Sequence, residues 1–157
     1  MNTFALMRDV YPVGFPVMSA ILGGIVGSFL GVVAERVPGM VMDDEVGGNL
    51  LFPASHCPAC QHALAAWENI PLVSWLVLRG RCSRCGTAIP LRIFLIELFS
   101  ALFFGVSAWC MPDVQSLFSL WLLASFLMPL ALIDWRHQLL PDCLTQPLLW
   151  AGLLLHA

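Results

Sequence analysis

Three stretches of this sequence run for about the length of a bilayer with at most one charge between them, and they constrain the fold more than anything else in it. Val13–Ala34 and Val114–Ile133 carry no charge, and Ile93–Met111 carries only Glu97. A hydrocarbon core of about 30 Å needs roughly 20 apolar helical residues, because the α-helix rises about 1.5 Å per residue. Each stretch therefore reads as a transmembrane helix. A fourth, Cys143–Ala157, is uncharged but short, and reads as a partial span. With 59% of 157 residues apolar and 11% charged, too little polar side chain remains to clothe a soluble globule. The expected fold is an all-α integral membrane protein of three full spans and a partial fourth. The first span is not a signal peptide, since Arg8 is offset by Asp9 and the apolar run outlasts a signal core.

Orientation follows from the arginines, which are the only Lys-type or Arg-type cations in the chain. Arg36, Arg79, Arg81, Arg84 and Arg92 lie between spans one and two, and Arg136 between spans three and four, whereas the turn at 111–115 carries Asp113 and no basic residue. Positive loops stay in the cytoplasm. The N-terminus is then periplasmic and residues 35–92 cytoplasmic, in a bacterial inner membrane. The expected units are residues 1–34 with the first helix, the loop 35–92, and the membrane segment 93–157. A net charge of about −3 without a dense basic stretch excludes nucleic acid as a partner.

Within span one, Gly23, Gly27 and Gly31 recur every fourth residue and set three side-chain-free positions on one helical face, a seam for close approach of another helix. The seam closes either within the chain or onto a second copy, so a homo-oligomer stays open.

The loop begins with an acidic segment, Asp43–Gly48, that reads as a solvated linker. Cys57-Pro-Ala-Cys60 follows, and then, 21 residues on, Cys82-Ser-Arg-Cys85. Two CxxC knuckles supply four thiolates, the donor set of a closed, tetrahedral structural zinc site. The alternative is a membrane thiol–disulfide exchanger, but such proteins act on the oxidising face while these pairs lie on the Arg-rich, reducing face. His56 and His62 read as solvated neighbours rather than ligands. Between the knuckles, residues 67–81 are too apolar for an exposed loop and pack on the zinc lobe or the membrane surface, with Trp67 and Trp75 as interfacial anchors.

Span three ends in Ile133-Asp134, and a second carboxylate, Asp142, follows eight residues later. Asp142 reads as the N-cap of the fourth helix. Asp134, an ionisable group at the edge of a span, has no such structural purpose and is a candidate functional residue.

Gly27-Ser-Phe-Leu30, Ser55–Cys60, Glu68-Asn-Ile-Pro-Leu-Val-Ser-Trp75, Arg79–Cys85 and Ile133-Asp134 through Leu139-Leu-Pro-Asp142 occur in that order. Together they closely resemble the prepilin leader peptidase/N-methyltransferase family. The resemblance implies a polytopic aspartic endopeptidase that removes the basic leader of type IV prepilins or type II secretion pseudopilins. It also implies, in many members, methylation of the new N-terminus from S-adenosylmethionine. By position Asp134 matches the first catalytic Asp, the Cys-rich loop is tied to methyl transfer, and Glu68 and Gly80 are its positions to watch for cofactor binding. Three departures stand out. Gly31 replaces a usual Asn, Ile93-Phe94 replaces a usual Tyr-Pro, and the Gly-x-Gly-Asp motif with the family's second catalytic Asp has no counterpart. On that ground the chain is expected to be C-terminally truncated, with a non-proteolytic zinc-bearing module or methyltransferase as the alternative to a peptidase.

Overall fold

The computed structural model describes residues 11–42, 50 and 55–156. The acidic segment at 43–48 lies outside the described residues. Among the described residues five α-helices follow in order: α1 Gly14–Met42, the short α2 Val73–Val77, α3 Leu91–Cys110, α4 Val114–His137 and α5 Asp142–His156, with a 3₁₀ turn at Ala66–Asn69. The described residues form no strand; the pairings His56 with Ala63 and Arg81 with Ala88 are isolated bridges. Helices α1, α3 and α4 are each long and apolar enough to cross a membrane. Much of their surface is large exposed apolar side chain, such as Ile25, Phe99, Leu102 and Phe118, which water would not tolerate but lipid does.

The helices overrun the stretches the charges mark out. α1 extends from the expected end at Ala34 to Met42, and α4 from Ile133 to His137. Backbone hydrogen bonding does not stop at a lipid boundary, and Arg36 finds a partner for its guanidinium in the carbonyl of Leu50 at 3.1 Å. The loop therefore begins after Met42. Asp142 is the first residue of α5 rather than its cap, because the Pro141 carbonyl before it accepts from the N–H groups of Leu144 and Thr145. At 15 residues α5 is about 22 Å long, shorter than a hydrocarbon core.

Packing centres on α1 against α3. A Cβ at Gly23 would come within 2.6 Å of Phe104 Cβ and of the Ser100 carbonyl, and one at Gly27 within 2.7 Å of Ser100 Cβ and 3.1 Å of Glu97 Cα. Gly105 returns the favour, its hypothetical Cβ lying 3.0 Å from Ala20. These small residues let the helix backbones meet, the device that replaces the hydrophobic drive absent in lipid. The seam thus closes within the chain at Gly23 and Gly27. Gly31 departs from it, with nothing within 4 Å of its hypothetical Cβ. α4 joins at both ends of α1 and α3. Val33, Ala34, Val37 and Ile133 form one buried cluster, and at the other end Trp121 stacks on Phe104 at 4.8 Å and donates to Ser107 Oγ at 2.8 Å.

A candidate metal centre and cofactor cavity at one end of the bundle

The two cysteine knuckles are built alike. In the first, the Cys57 N–H donates to the His62 carbonyl and the Gln61 N–H to the Cys57 carbonyl, both at 2.9 Å. In the second, Cys82 donates to the Thr87 carbonyl at 2.9 Å and Gly86 to the Cys82 carbonyl at 3.0 Å. Each turn closes through a left-handed residue just after its second cysteine, Gln61 (φ 57°) and Gly86 (φ 71°). Tight turns of this kind point both thiols of a CxxC to one side.

Facing each other, the knuckles bring Cys57, Cys60, Cys82 and Cys85 together with all four Sγ atoms within 4.8 Å of one another. Cys57 to Cys85 is 3.7 Å and Cys60 to Cys82 is 4.0 Å. A tetrahedron with metal–sulfur bonds of about 2.3 Å has edges of about 3.8 Å, so the spacing fits four thiolates around one zinc-sized cation. The thiols also conflict without one. The Thr87 hydroxyl and backbone N–H draw Cys85 down to about 6. Cys60 moves the other way, to about 11: the His62 backbone lowers it, but burial and the three neighbouring thiols outweigh that. Thiols this close cannot all ionise unaided, and a divalent cation removes the conflict. All four thiols lie close together across the two knuckles and not as two separate pairs, which suits a shared ion better than a redox dithiol. Neither His56 nor His62 belongs to the cluster.

Glu68 and Gly80 both lie in the lobe, Glu68 also in the wall of a cavity between the lobe and the helices. The Glu68 carboxylate is buried, accepts the Ala65 N–H at 2.8 Å and lies 3.6 Å from His62 Nε2. A hydrogen bond from Ser83, then the Ala65 N–H, holds its carboxyl below the ordinary 4.5. The carboxylate thereby lies between His62 of the first knuckle and Ser83 of the second. Gly80 (φ 66°) lies against the indole of Trp75, where a Cβ would meet Cζ2 at 2.8 Å and Nε1 at 3.3 Å. Trp75 in turn packs on Phe94 of α3 with ring centroids 4.6 Å apart, and its indole N–H is buried without an acceptor. Trp75 is therefore a packed strut between lobe and membrane helix, not an interfacial anchor; Trp67 is 51% exposed.

The segment between the knuckles docks on the bundle at Leu72. Its N–H donates to Glu97 Oε2 at 2.8 Å, while the Val73 N–H bonds the Pro71 carbonyl at 2.6 Å across it. With φ 61° and ψ −47°, Leu72 is the centre of a γ-turn of the strained, positive-φ kind. Glu97 is 6% exposed and projects from α3 beside Gly27, whose missing side chain leaves it room. Sequence reasoning noted Glu97 as the one charge in its span and assigned it nothing, although an intramembrane carboxylate is a functional signal in itself.

Between lobe, α1 and α3 lies a cavity of about 490 Å³, with Arg136 of α4 also in its wall. Asp134 is exposed at the same end of α4, two residues from Arg136. Its carboxylate has no hydrogen bond or ion pair to another described residue; its backbone carbonyl accepts from the Gln138 N–H at 2.9 Å and side-chain amide at 2.8 Å. An apolar groove between α3 and α4, lined by Leu95, Phe99, Leu127 and Ala131 among others, runs to Trp135 beside it.

Two family models match in tandem: the bacterial peptidase A24 N-terminal domain over residues 21–111 and the type IV leader peptidase family over residues 121–157. Among curated relatives, the prepilin leader peptidase/N-methyltransferase of Stutzerimonas stutzeri is 42% identical over 93% of this chain and 56% of its own length. The type 4 prepilin-like proteins leader peptide-processing enzyme of Escherichia coli O78:H11 is 39% identical over 92% and 58%. The Dichelobacter nodosus prepilin leader peptidase/N-methyltransferase is 43% identical over 83% and 52%. The chain spans a little over half the length of these relatives, and no solved structure matches it. Neither the redox exchanger nor the non-proteolytic module is favoured by such kinship. By the match over its cysteine lobe and first spans, this chain belongs to the bacterial A24 family of leader peptidases.

Proposed function

We propose that this chain serves as the N-terminal part of a membrane aspartic endopeptidase that cleaves the leader from type IV prepilins or type II secretion pseudopilins, and that it methylates the new N-terminus. The single observation that carries this is the placement of Asp134. It is exposed at the end of a membrane helix, on the side of the bundle where the cysteine lobe and the cavity lie, beside an apolar groove. A substrate made of a short basic leader followed by an apolar helix would reach it from the lipid with the scissile bond at the membrane surface.

Amide hydrolysis by carboxylates requires two that share a proton, one ionised to activate water and one protonated to donate to the leaving nitrogen. Asp134 is one of them. The other is the Asp of the family's Gly-x-Gly-Asp motif, which residues 1–157 do not contain. Cys57, Cys60, Cys82 and Cys85 hold a structural zinc ion, closed to substrate, that fixes the lobe. S-adenosylmethionine supplies the methyl group. Glu68 and Gly80 affect methyl transfer by shaping the lobe. The arginines at 36, 79, 81, 84, 92 and 136 all lie at the lobe side of the spans, which supports an orientation with that side in the cytoplasm of the inner membrane and the N-terminus periplasmic.

The test is a chimera of residues 1–157 with the remaining C-terminal helices of the Stutzerimonas stutzeri relative, expressed with a type IV prepilin in cells lacking other prepilin peptidases. Mature pilin is expected, together with its loss on Asp134→Ala and methylation of its N-terminus by mass spectrometry. Processing that survives Asp134→Ala in a chimera retaining the second Asp would refute the assignment.

A further inference from the structure

The cavity of about 490 Å³ falls in the range of cofactor pockets, roughly 300–1,000 Å³. Its wall includes Gly31 and Glu35 of α1, His56 and Glu68 of the lobe, Ser74 of α2 and Glu97 of α3. Two of these carboxylates are already spent. Glu35 pairs with Arg92 at 2.6 Å, and Glu68 binds within the lobe. Glu97 differs, because the Leu72 N–H takes only Oε2 and no other described residue bonds the carboxylate. Glu97 is a mostly buried residue in the cavity wall with one carboxylate oxygen free of partners among the described residues, and a cationic ligand in the cavity is a partner that suits it.

We propose that this cavity is the S-adenosylmethionine site and that Glu97 recognises the positively charged end of the ligand, its sulfonium and ammonium. The assignment rests on the methyltransferase reading above and adds the site to it. The Leu72 N–H is what aims the carboxylate. The turn that presents this N–H is strained, and it is held in place by Pro71 packing near Gly24 and by the Glu97 bond itself. Gly31 forms the open part of the α1 wall: its hypothetical Cβ meets nothing within 4 Å, so a larger side chain there would project into free space instead of into the α1–α3 seam. Near the low-dielectric surroundings of the helix ends, attraction between Glu97 and a cation is screened far less than in water.

The experiment measures binding by calorimetry to the zinc-loaded chain in nanodiscs, with S-adenosylmethionine and with methylthioadenosine, which keeps the adenosyl part but carries neither sulfonium nor ammonium. Glu97→Gln preserves an oxygen for the Leu72 N–H and removes the charge. It is expected to weaken S-adenosylmethionine by about tenfold and leave methylthioadenosine within about twofold, a modest share of the Coulomb attraction at contact. Gly31→Leu fills the cavity and should abolish binding of both. Zinc content should stay unchanged in both variants, showing that the lobe remains folded. Unchanged affinities in both variants with zinc retained would overturn the proposal while leaving the methyltransferase reading intact, provided the chimera still methylates pilin. No binding to the unsubstituted chain, with pilin cleaved and left unmethylated by the chimera, would overturn both.

Discussion

Gly80 and Gly86 share a backbone conformation but not a neighbourhood, and comparing their alanine variants tests how the lobe is held to the membrane helices. Both have positive φ, 66° and 71°. An alanine at either pays about 1–2 kcal/mol for the left-handed conformation. At Gly86 that is the whole cost, since nothing lies within 4 Å of the added Cβ. At Gly80 the Cβ would come 2.8 Å from Trp75 Cζ2, and the indole cannot retreat freely because Phe94 packs against it at 4.6 Å. Forcing an extra methyl into such a contact costs roughly a further 1–3 kcal/mol. Gly80→Ala should therefore destabilise the lobe by about 2–5 kcal/mol and Gly86→Ala by about 1–2. The assay is transfer of zinc from the purified, detergent-solubilised chain to excess chromogenic chelator. Where lobe opening precedes release, each 1.4 kcal/mol is about a factor of ten in rate. Gly80→Ala is expected to release zinc about thirtyfold faster or more, and Gly86→Ala about five- to thirtyfold faster. Equal rates for the two would refute the claim that Trp75 is a strut seated under Gly80.

Three other outcomes follow from the same geometry. Replacing any of Cys57, Cys60, Cys82 or Cys85 by Ser should lower zinc from about one ion per chain and expose residues 55–90 to protease, because the lobe has little core besides the ion; Cys110→Ala and Cys143→Ala, both exposed positions, should do neither. Gly27→Leu should prevent recovery of folded protein, since its Cβ alone would sit 2.7 Å from Ser100, whereas Gly31→Leu should be recovered normally; equal recovery would show that the seam does not organise the bundle. A reporter active only in the periplasm, fused after Arg92, should be silent, and activity there would reverse the proposed orientation.

The three long apolar helices were legible because lipid leaves no alternative to long apolar runs, and the four-cysteine cluster because CxxC spacing is itself a geometry. Their limits were not. Glu35 and Arg36 end an apolar run, yet the helix continues through them and through Pro38, since side-chain polarity marks the solvent boundary and not the end of backbone bonding. The four-residue glycine spacing showed a seam but could not show that Gly31 leaves it, because only the position of α3 decides which glycines are covered. Trp75 read as an anchor from its type and apolar company. Its partner, Phe94, is 19 positions away, a contact that no local pattern encodes. Glu97 was visible as an anomaly, but its partner was not, because a strained turn 25 residues earlier is what brings an N–H to it.

These particulars form one line of dependence from sequence to site. Gly27 has no side chain, so Glu97 can lie in the α1–α3 seam. Because Glu97 lies there, the Leu72 N–H has a buried acceptor, and the turn at Pro71–Val73 can hold a conformation that an unassisted chain avoids. That turn leads into α2, which carries Trp75 to Phe94, and Gly80 closes over the indole just before the second knuckle begins at Cys82. The four cysteines then bring this knuckle to the first, with the buried Glu68 carboxylate beside His62. The four cysteines lie together within the lobe, whereas the Glu97–Leu72 bond and the Trp75–Phe94 packing hold the lobe against the bundle. A lobe that kept a metal on its four cysteines and lost these two contacts is expected to stay folded yet no longer wall the cavity, so metal content and the proposed cofactor binding should respond separately to mutation.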